Sequence, residues 1–306
     1  MNKRRVVVTG LGVIAPNGIG KNDFWHACTH GQSGVDKISS FDTDGFDCHI
    51  AGQVKNFNPS LYIPTQIVNK IDRFVHFGLS ASSMAIEDSL LNLNQENMNK
   101  IGVIIGSGFG GFIFQEEQML DAMLTGKSRL NPLCVPRITP NAVSSHIAIT
   151  YGLLGPNLVI TSSFASGTQA IGEAFRKIQH SEIDICITGG AEAPLTRFAF
   201  GACCASGVVS KRNDFPQEAS RPFDRLRDGY VIAEGAGILI LEELSHALKR
   251  NAPIYAEVKG YSANFSDIFE SDIGNISNTI NGALKDARLN SNSIDYINAS
   301  ASSTPA

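Results

Sequence analysis

The chain has 306 residues, 43% of them hydrophobic and 18% charged, enough to fill a sizeable core and more than one typical domain holds. Its formal net charge of −4 gives no reason to expect nucleic acid or an anionic membrane as a partner, and no apolar run nears the roughly 20 residues that span a bilayer. Six cysteines (Cys28, Cys48, Cys134, Cys186, Cys203, Cys204) without C-x-x-C spacing, and seven scattered histidines, point to reduced thiols in a cytoplasmic protein and away from a metal site.

The first apolar run, "RRVVVTGLGVIA" at 4–15, reads as a buried strand running into a glycine turn. It is too short, and too broken by Gly10, Gly12 and Pro16, for a secretory signal. "GKNDFWHACTHG" at 20–31 reads as a short helix that Asn22 or Asp23 would cap and Gly31 would stop. Residues 72–91 carry apolar side chains at helical spacing. "KIGVIIGSGFGG" at 100–111 is a second buried strand ending in glycines, "FIFQEEQMLDAML" after it can be helical, and 141–153 is helical.

"NLVITSS", a helix through "IGEAFRKIQ", and "IDICITGGAEA" make a strand–helix–strand unit, which implies parallel strands. "KRNDFPQEASRPFDRLRDG" at 211–229 reads as a long polar loop. "AGILILEELSHALKRNA" is a strand passing directly into a helix. "IYAEVKGYSANF" is a further strand, 276–289 a helix, and "IDYINASAS" at 294–302 a last strand. The alternation implies an α/β protein with helices on both faces of a mainly parallel sheet.

Two glycine segments match dinucleotide fingerprints: Gly10–Ala15 (G-x-G-x-x-A) and Gly106–Gly111 (G-x-G-x-x-G). The first is followed by Pro16, Gly18 and Gly20, which cannot form the helix that must meet the pyrophosphate. The second lacks a following strand with an acidic terminus at the right distance. The glycines are read instead as permitting tight turns and close backbone approach.

"TSSFASGT" at 161–168 lies between a strand and a helix, where acyl-transfer enzymes place a nucleophile and where a helix N-terminus favours developing negative charge. Its centre is Phe164, which has no nucleophilic atom. Ser163 and Ser166 flank it, with no histidine or acid in the motif to activate either, and a small polar residue there is more often a cap.

The segments "VVVTGLGVIAPNG", "DRF" at 72–74, "YGLLGPN", "ITGGAEA", "SRPFD", "RDGYVIAEGAG" and "NASASSTPA", in this order, resemble the β-ketoacyl synthase family. The resemblance implies a thiolase-like fold, α-β-α-β-α in layers, with a ketosynthase-like half over 1–252 and a second half over 253–306 that is incomplete. An incomplete sheet would leave strand edges and apolar faces uncovered and make the chain depend on a full-length ketosynthase.

Family members perform decarboxylative condensation. A cysteine in T-A-C-x-S-G holds the acyl chain, and two histidines help decarboxylate the malonyl group. The thiolate attacks a thioester readily, and neutral imidazoles donate hydrogen bonds to the enolate. Here Phe164 stands at the cysteine position. In the family's N-A-H-G-T segment Ser300 stands for the histidine, Ala301 for the glycine and Ser302 for the threonine. The resemblance therefore implies no catalytic residue.

It also implies a particular branch: the chain-length factor, which pairs with an active ketosynthase in type II polyketide synthases and bounds the elongation channel. That subunit usually carries glutamine where Phe164 stands. "GGFIF" at 110–114 looks like its G-G-F-x-F, so the resemblance assigns Phe109, Phe112, Phe114, Phe198 and Phe200 to the channel and Phe164 to a plug in the vacated acyl pocket. The implied partners are a full-length ketosynthase and an acyl carrier protein, whose phosphopantetheine delivers the acyl chain, with no other cofactor. The alternatives are a silent subunit in fatty-acid or aryl-polyene synthesis, an acyltransferase or hydrolase using Ser163 or Ser166, and a dinucleotide-binding oxidoreductase.

Overall fold

The computed structural model describes residues 3–126, 130–265 and 273–304. In chain order the strands are β1 (Val6–Ala15), β2 (Gly18–Ile19), β3 (Val35–Lys37), β4 (Ile50–Gly52), β5 (Ile101–Gly106), β6 (Asn157–Ile160), β7 (Ile185–Glu192), β8 (Gly235–Glu243) and β9 (Ala256–Val258). The helices are α1 (Lys21–Thr29), α2 (Thr65–Val68), α3 (Arg73–Asp88), α4 (Phe112–Thr125), α5 (Cys134–Ile138), α6 (Ala142–Tyr151), α7 (Ser166–Gln179), α8 (Arg197–Ala205), α9 (Leu244–Lys249) and α10 (Ile273–Ala287).

Seven strands form one sheet in the order β2-β1-β8-β7-β5-β6, with β9 also paired to β1. β5 is parallel to both β6 and β7. β8 is antiparallel to β7 and to β1, and β9 is antiparallel to β1. The sheet is thus mixed, not mainly parallel. A central antiparallel strand covered on both faces has the same continuous apolar run as a parallel one.

One face packs against α3 and α6, where Phe74, Phe77, Val143 and Ile147 meet Ile105 and Ile187. The other packs against α7 through Ala170, Ala174, Phe175 and Ile178. Helix α7 is stable there because its apolar residues recur every three or four positions and share one stripe. A smaller cluster joins Cys48, Ile50, Leu195 and Phe200 beside the β3–β4 hairpin.

Several local expectations change. β1 does not turn at Gly10. It runs through both glycines to Ala15, because α3 lies on them: a Cβ at Gly12 would stand 1.8 Å from the Ala81 carbonyl oxygen. α1 has Gly20 at its N-cap and no side-chain cap, so neither Asn22 nor Asp23 plays that part. The strand expected over 254–265 shortens to β9. Residues 294–302 form no strand. Tyr296 and Ile297 are exposed, and no neighbouring strand among the described residues offers them a ladder. Pro305 and Ala306, the end of the last motif, lie outside the described residues.

Candidate functional site

Strands β5, β6 and β7 end at one side of the sheet, and two turns meet there. The first runs from Thr161 to Ala165, between β6 and α7. Ser163 is held at φ +55°, a left-handed conformation unusual for a residue with a side chain. The Ser166 hydroxyl donates to the Ser163 carbonyl at 2.7 Å and accepts from the Ser162 amide at 2.9 Å. Ser166 therefore closes the turn, and no histidine or carboxylate among the described residues is bonded to it or to Ser163. Gly106 lies beneath, where a Cβ would stand 2.3 Å from the Ser166 backbone, so the α7 N-terminus seats on the end of β5.

Phe164 is 90% exposed, with its ring edge-on to Tyr230 at 5.9 Å. The expected plug is not formed: the tight turn directs the side chain outward, and its apolar area stays uncovered within this chain.

The second turn, 107–111, joins β5 to α4. The Glu192 carboxylate, at the end of β7, accepts the amides of Gly108 at 2.6 Å and Phe109 at 3.2 Å and the Ser107 hydroxyl at 3.3 Å. Burial pushes Glu192 above the usual carboxylate range, and these donors pull in the opposite direction. The arrangement also disposes of the second dinucleotide match: the amides a pyrophosphate would need already face a carboxylate of the chain itself. Ser107 ties the two turns together, since its carbonyl accepts from the Thr161 hydroxyl at 2.7 Å and its amide donates to Ile160 O at 3.1 Å.

The five phenylalanines assigned to a channel divide. Phe109 and Phe112 meet edge-on at 5.2 Å, and Phe112 stacks on Phe198 at 6.5 Å. Phe109 is 37% and Phe198 69% exposed, so these three make an accessible aromatic strip. Phe114 and Phe200 do not join it. Phe114 is buried, with its amide on the Asp72 carboxylate at 2.8 Å and the Arg137 guanidinium 3.7 Å from its ring centre. Phe200 is fully buried between Phe41 and Phe46 at 5.6 and 5.7 Å. Both are core residues, because helical spacing from Phe112 and Phe198 turns them to the opposite side.

Ser300 lies in a left-handed conformation at φ +50°. With Ala301–Thr304, Phe223 and Arg227 it lines a cavity of about 410 Å³. Ser303 anchors the segment: its hydroxyl accepts the Arg221 amide at 3.1 Å and its carbonyl the Gly229 amide at 2.9 Å. Tyr230, next to Gly229, is the residue that Phe164 touches. Among the described residues no group of three or more His, Cys, Asp or Glu could hold a metal ion, and no helix is long and apolar enough to cross a membrane.

Sequence reading missed Glu192, Ser107 and Asp72. Asp72 and Glu192 both sit in quoted motifs, but their partners lie 42 and 84 residues away.

The family described as beta-ketoacyl synthase, N-terminal domain, matches residues 3–247, and the corresponding C-terminal domain matches 255–306. The 3-oxoacyl-[acyl-carrier-protein] synthase 2 of Coxiella burnetii is 40% identical over 312 aligned positions, covering 100% of this chain and 75% of that protein. Among solved structures, the ishigamide ketosynthase/chain length factor superposes with a TM-score of 0.92 at 30% identity, over 99% of this chain and 75% of that one. A type II polyketide ketosynthase, AntDE, in complex with its acyl-carrier protein AntF gives 0.88 at 34% identity, over 99% and 74%.

Proposed function

The chain belongs to the β-ketoacyl synthase family, and from that premise we propose that it is a non-catalytic chain-length factor. It pairs with an active ketosynthase and bounds the channel in which a type II polyketide grows. One observation carries the reading: at the strand–helix turn where the family resemblance implies a cysteine, Phe164 presents an exposed ring with no nucleophilic atom. The neighbouring Ser166 hydroxyl has both its bonds within the turn. The aromatic strip Phe109–Phe112–Phe198 supplies an apolar surface that could bound an acyl chain. The likenesses to a ketosynthase/chain length factor and to a ketosynthase that binds an acyl-carrier protein support the pairing and the carrier-delivered substrate.

The test is acylation. Incubated alone with malonyl-loaded carrier protein, the chain should take up no acyl group and release no CO₂. Added to its ketosynthase, it should change product length, and Phe112→Ala should lengthen the product. A covalent acyl adduct on the isolated chain, at Ser163 or elsewhere, rejects the reading. The 40% identity to a 3-oxoacyl-[acyl-carrier-protein] synthase favours a second reading, a silent subunit in fatty-acid synthesis. The oxidation state of the product separates the two: unreduced ketones indicate a polyketide.

A further inference from the structure

Phe109 is more than a third exposed and its ring meets Phe112 edge-on, so side-chain packing holds it only in part. Its position also depends on its backbone. The turn that carries it bends through Gly110 at φ +66°, and a Cβ on Gly110 would stand 2.7 Å from Ile138 O, so the chain enters α4 at a fixed angle. The other restraint is Glu192. Its Oε2 accepts two consecutive amides, Gly108 and Phe109, and its Oε1 accepts the Ser107 hydroxyl. No cation is paired with this carboxylate among the described residues, so amide and hydroxyl donors alone hold it. The two amides on Oε2 can only donate, so they need an acceptor there, and a side chain of similar size without one would leave both unpaired. The far end of the strip is held in a similar way, with the Phe198 amide on Glu116 Oε2 at 3.0 Å.

We propose that Glu192 is a positioning residue that sets product length: by gripping the backbone of Ser107–Phe109 it fixes Phe109, and through Phe109 the edge-on contact with Phe112. The proposal rests on the chain-length reading above. Through Ser107 the same carboxylate also holds Thr161, and so couples the aromatic turn to the turn that carries Phe164. Substitution of Glu192 leaves all three rings of the strip present and removes one restraint on Phe109.

The experiment uses the full chain in complex with its ketosynthase, supplied with malonyl-loaded carrier protein. It compares the native chain with Glu192→Leu, Gly108→Ala and Phe112→Ala. The readout is the ratio of over-length to native-length product, which a loss of folded protein would lower in yield but leave unshifted. Glu192→Leu, which keeps the size but offers no acceptor, should raise that ratio about tenfold, equivalent to 1.4 kcal/mol between the two outcomes. Gly108→Ala places a Cβ 3.3 Å from Glu192 Oε2 without removing the carboxylate and should shift the ratio in the same direction by less.

A second readout is the ¹⁹F spectrum of 4-fluorophenylalanine introduced at position 109, whose signal should move or broaden in Glu192→Leu. An unchanged ratio in Glu192→Leu, with longer product from Phe112→Ala, overturns the proposal and leaves the chain-length reading standing. Unchanged ratios in both overturn the reading and the proposal with it. Should Glu192→Leu fail to assemble, a native ratio from assembled Gly108→Ala overturns the proposal.

Discussion

Arg73 and Glu234 lie 161 residues apart and meet as a two-pronged ion pair at 2.8 and 2.7 Å. Glu234 is buried, and its remaining partner is the Val54 amide at 2.9 Å. Taking away the guanidinium would leave a nearly uncompensated buried carboxylate. Arg73→Ala should therefore cost about 3 kcal/mol, the low end of the range for broken buried pairs, because the arginine is itself about a third exposed. Urea unfolding measures it, and Arg73→Lys should recover only part, since an ammonium cannot reproduce the two-pronged geometry.

Glu242 gives a pH dependence. Burial alone would push this carboxylate up, but hydrogen bonds from Arg250 and His246, with the Thr9 hydroxyl, hold it below the usual range. A lowered folded-state pKa contributes stability above the ordinary value of 4.5 and loses it as the pH falls through the folded value. The native chain should lose stability below about pH 5, and Glu242→Gln, less stable at neutral pH, should show a flatter acid limb in thermal melts.

At the scale of elements, the sequence motifs turn out to pin elements to one another. "DRF" supplies Asp72, which caps α3 and also holds the start of α4 at Phe114. It also supplies Arg73, which reaches the "AEGAG" segment through Glu234. Such segments could be recognised as a set but not assigned partners, because each is silent about which distant backbone it meets. Strand and helix positions followed from local apolar periodicity, as in β5 and α7.

Strand direction did not. The connection from β7 to β8 spans 193–234 and includes α8, and nothing local says which way it delivers the chain. The outward aim of Phe164 was hidden for the same kind of reason: it depends on the Ser163 conformation and the Ser166 clasp, not on the hydrophobicity of phenylalanine. The β1–α3 contact carries a direct test. Gly12→Ala would drive a methyl group into the Ala81 carbonyl and force backbone apart from backbone, so it should destabilise by about 2–3 kcal/mol. Gly126→Ala, with nothing within 4 Å of the added carbon, would be strained only by its φ of +65°, about 1 kcal/mol. Equal melting temperatures for the two variants would refute close helix–strand packing as the reason for Gly12.

At the scale of the whole molecule, one edge of the sheet carries uncovered apolar surface. β6 is the terminal strand, bonded to β5 on one side and with its outer amides and carbonyls unpaired in the sheet. Leu158 on β6, Leu154 just before it and Ile149 on α6 are all exposed, as is Phe164 just beyond the strand. An exposed apolar edge strand with no lysine, and with proline only just before its start at Pro156, is a template for pairing with another chain. Leu158 is the place to interfere, since its side chain is 41% exposed while neighbouring Val159 and Ile160 are partly packed. A lysine at 158 would put a solvated ammonium on the pairing edge at little cost to the fold.

The native chain expressed alone should therefore associate with itself or aggregate, and co-expression with its ketosynthase should convert it to a one-to-one complex. Leu158→Lys should weaken that complex at least tenfold while leaving the melting temperature of the chain within a few degrees of native. Light scattering coupled to gel filtration gives the stoichiometry, and titration of the two subunits gives the affinity. A Leu158→Lys complex as tight as the native one would move the proposed pairing to some other surface, and a monodisperse native monomer would count against any dependence on a partner. The Phe109–Phe112–Phe198 strip would then have to meet an acyl chain without help from this edge.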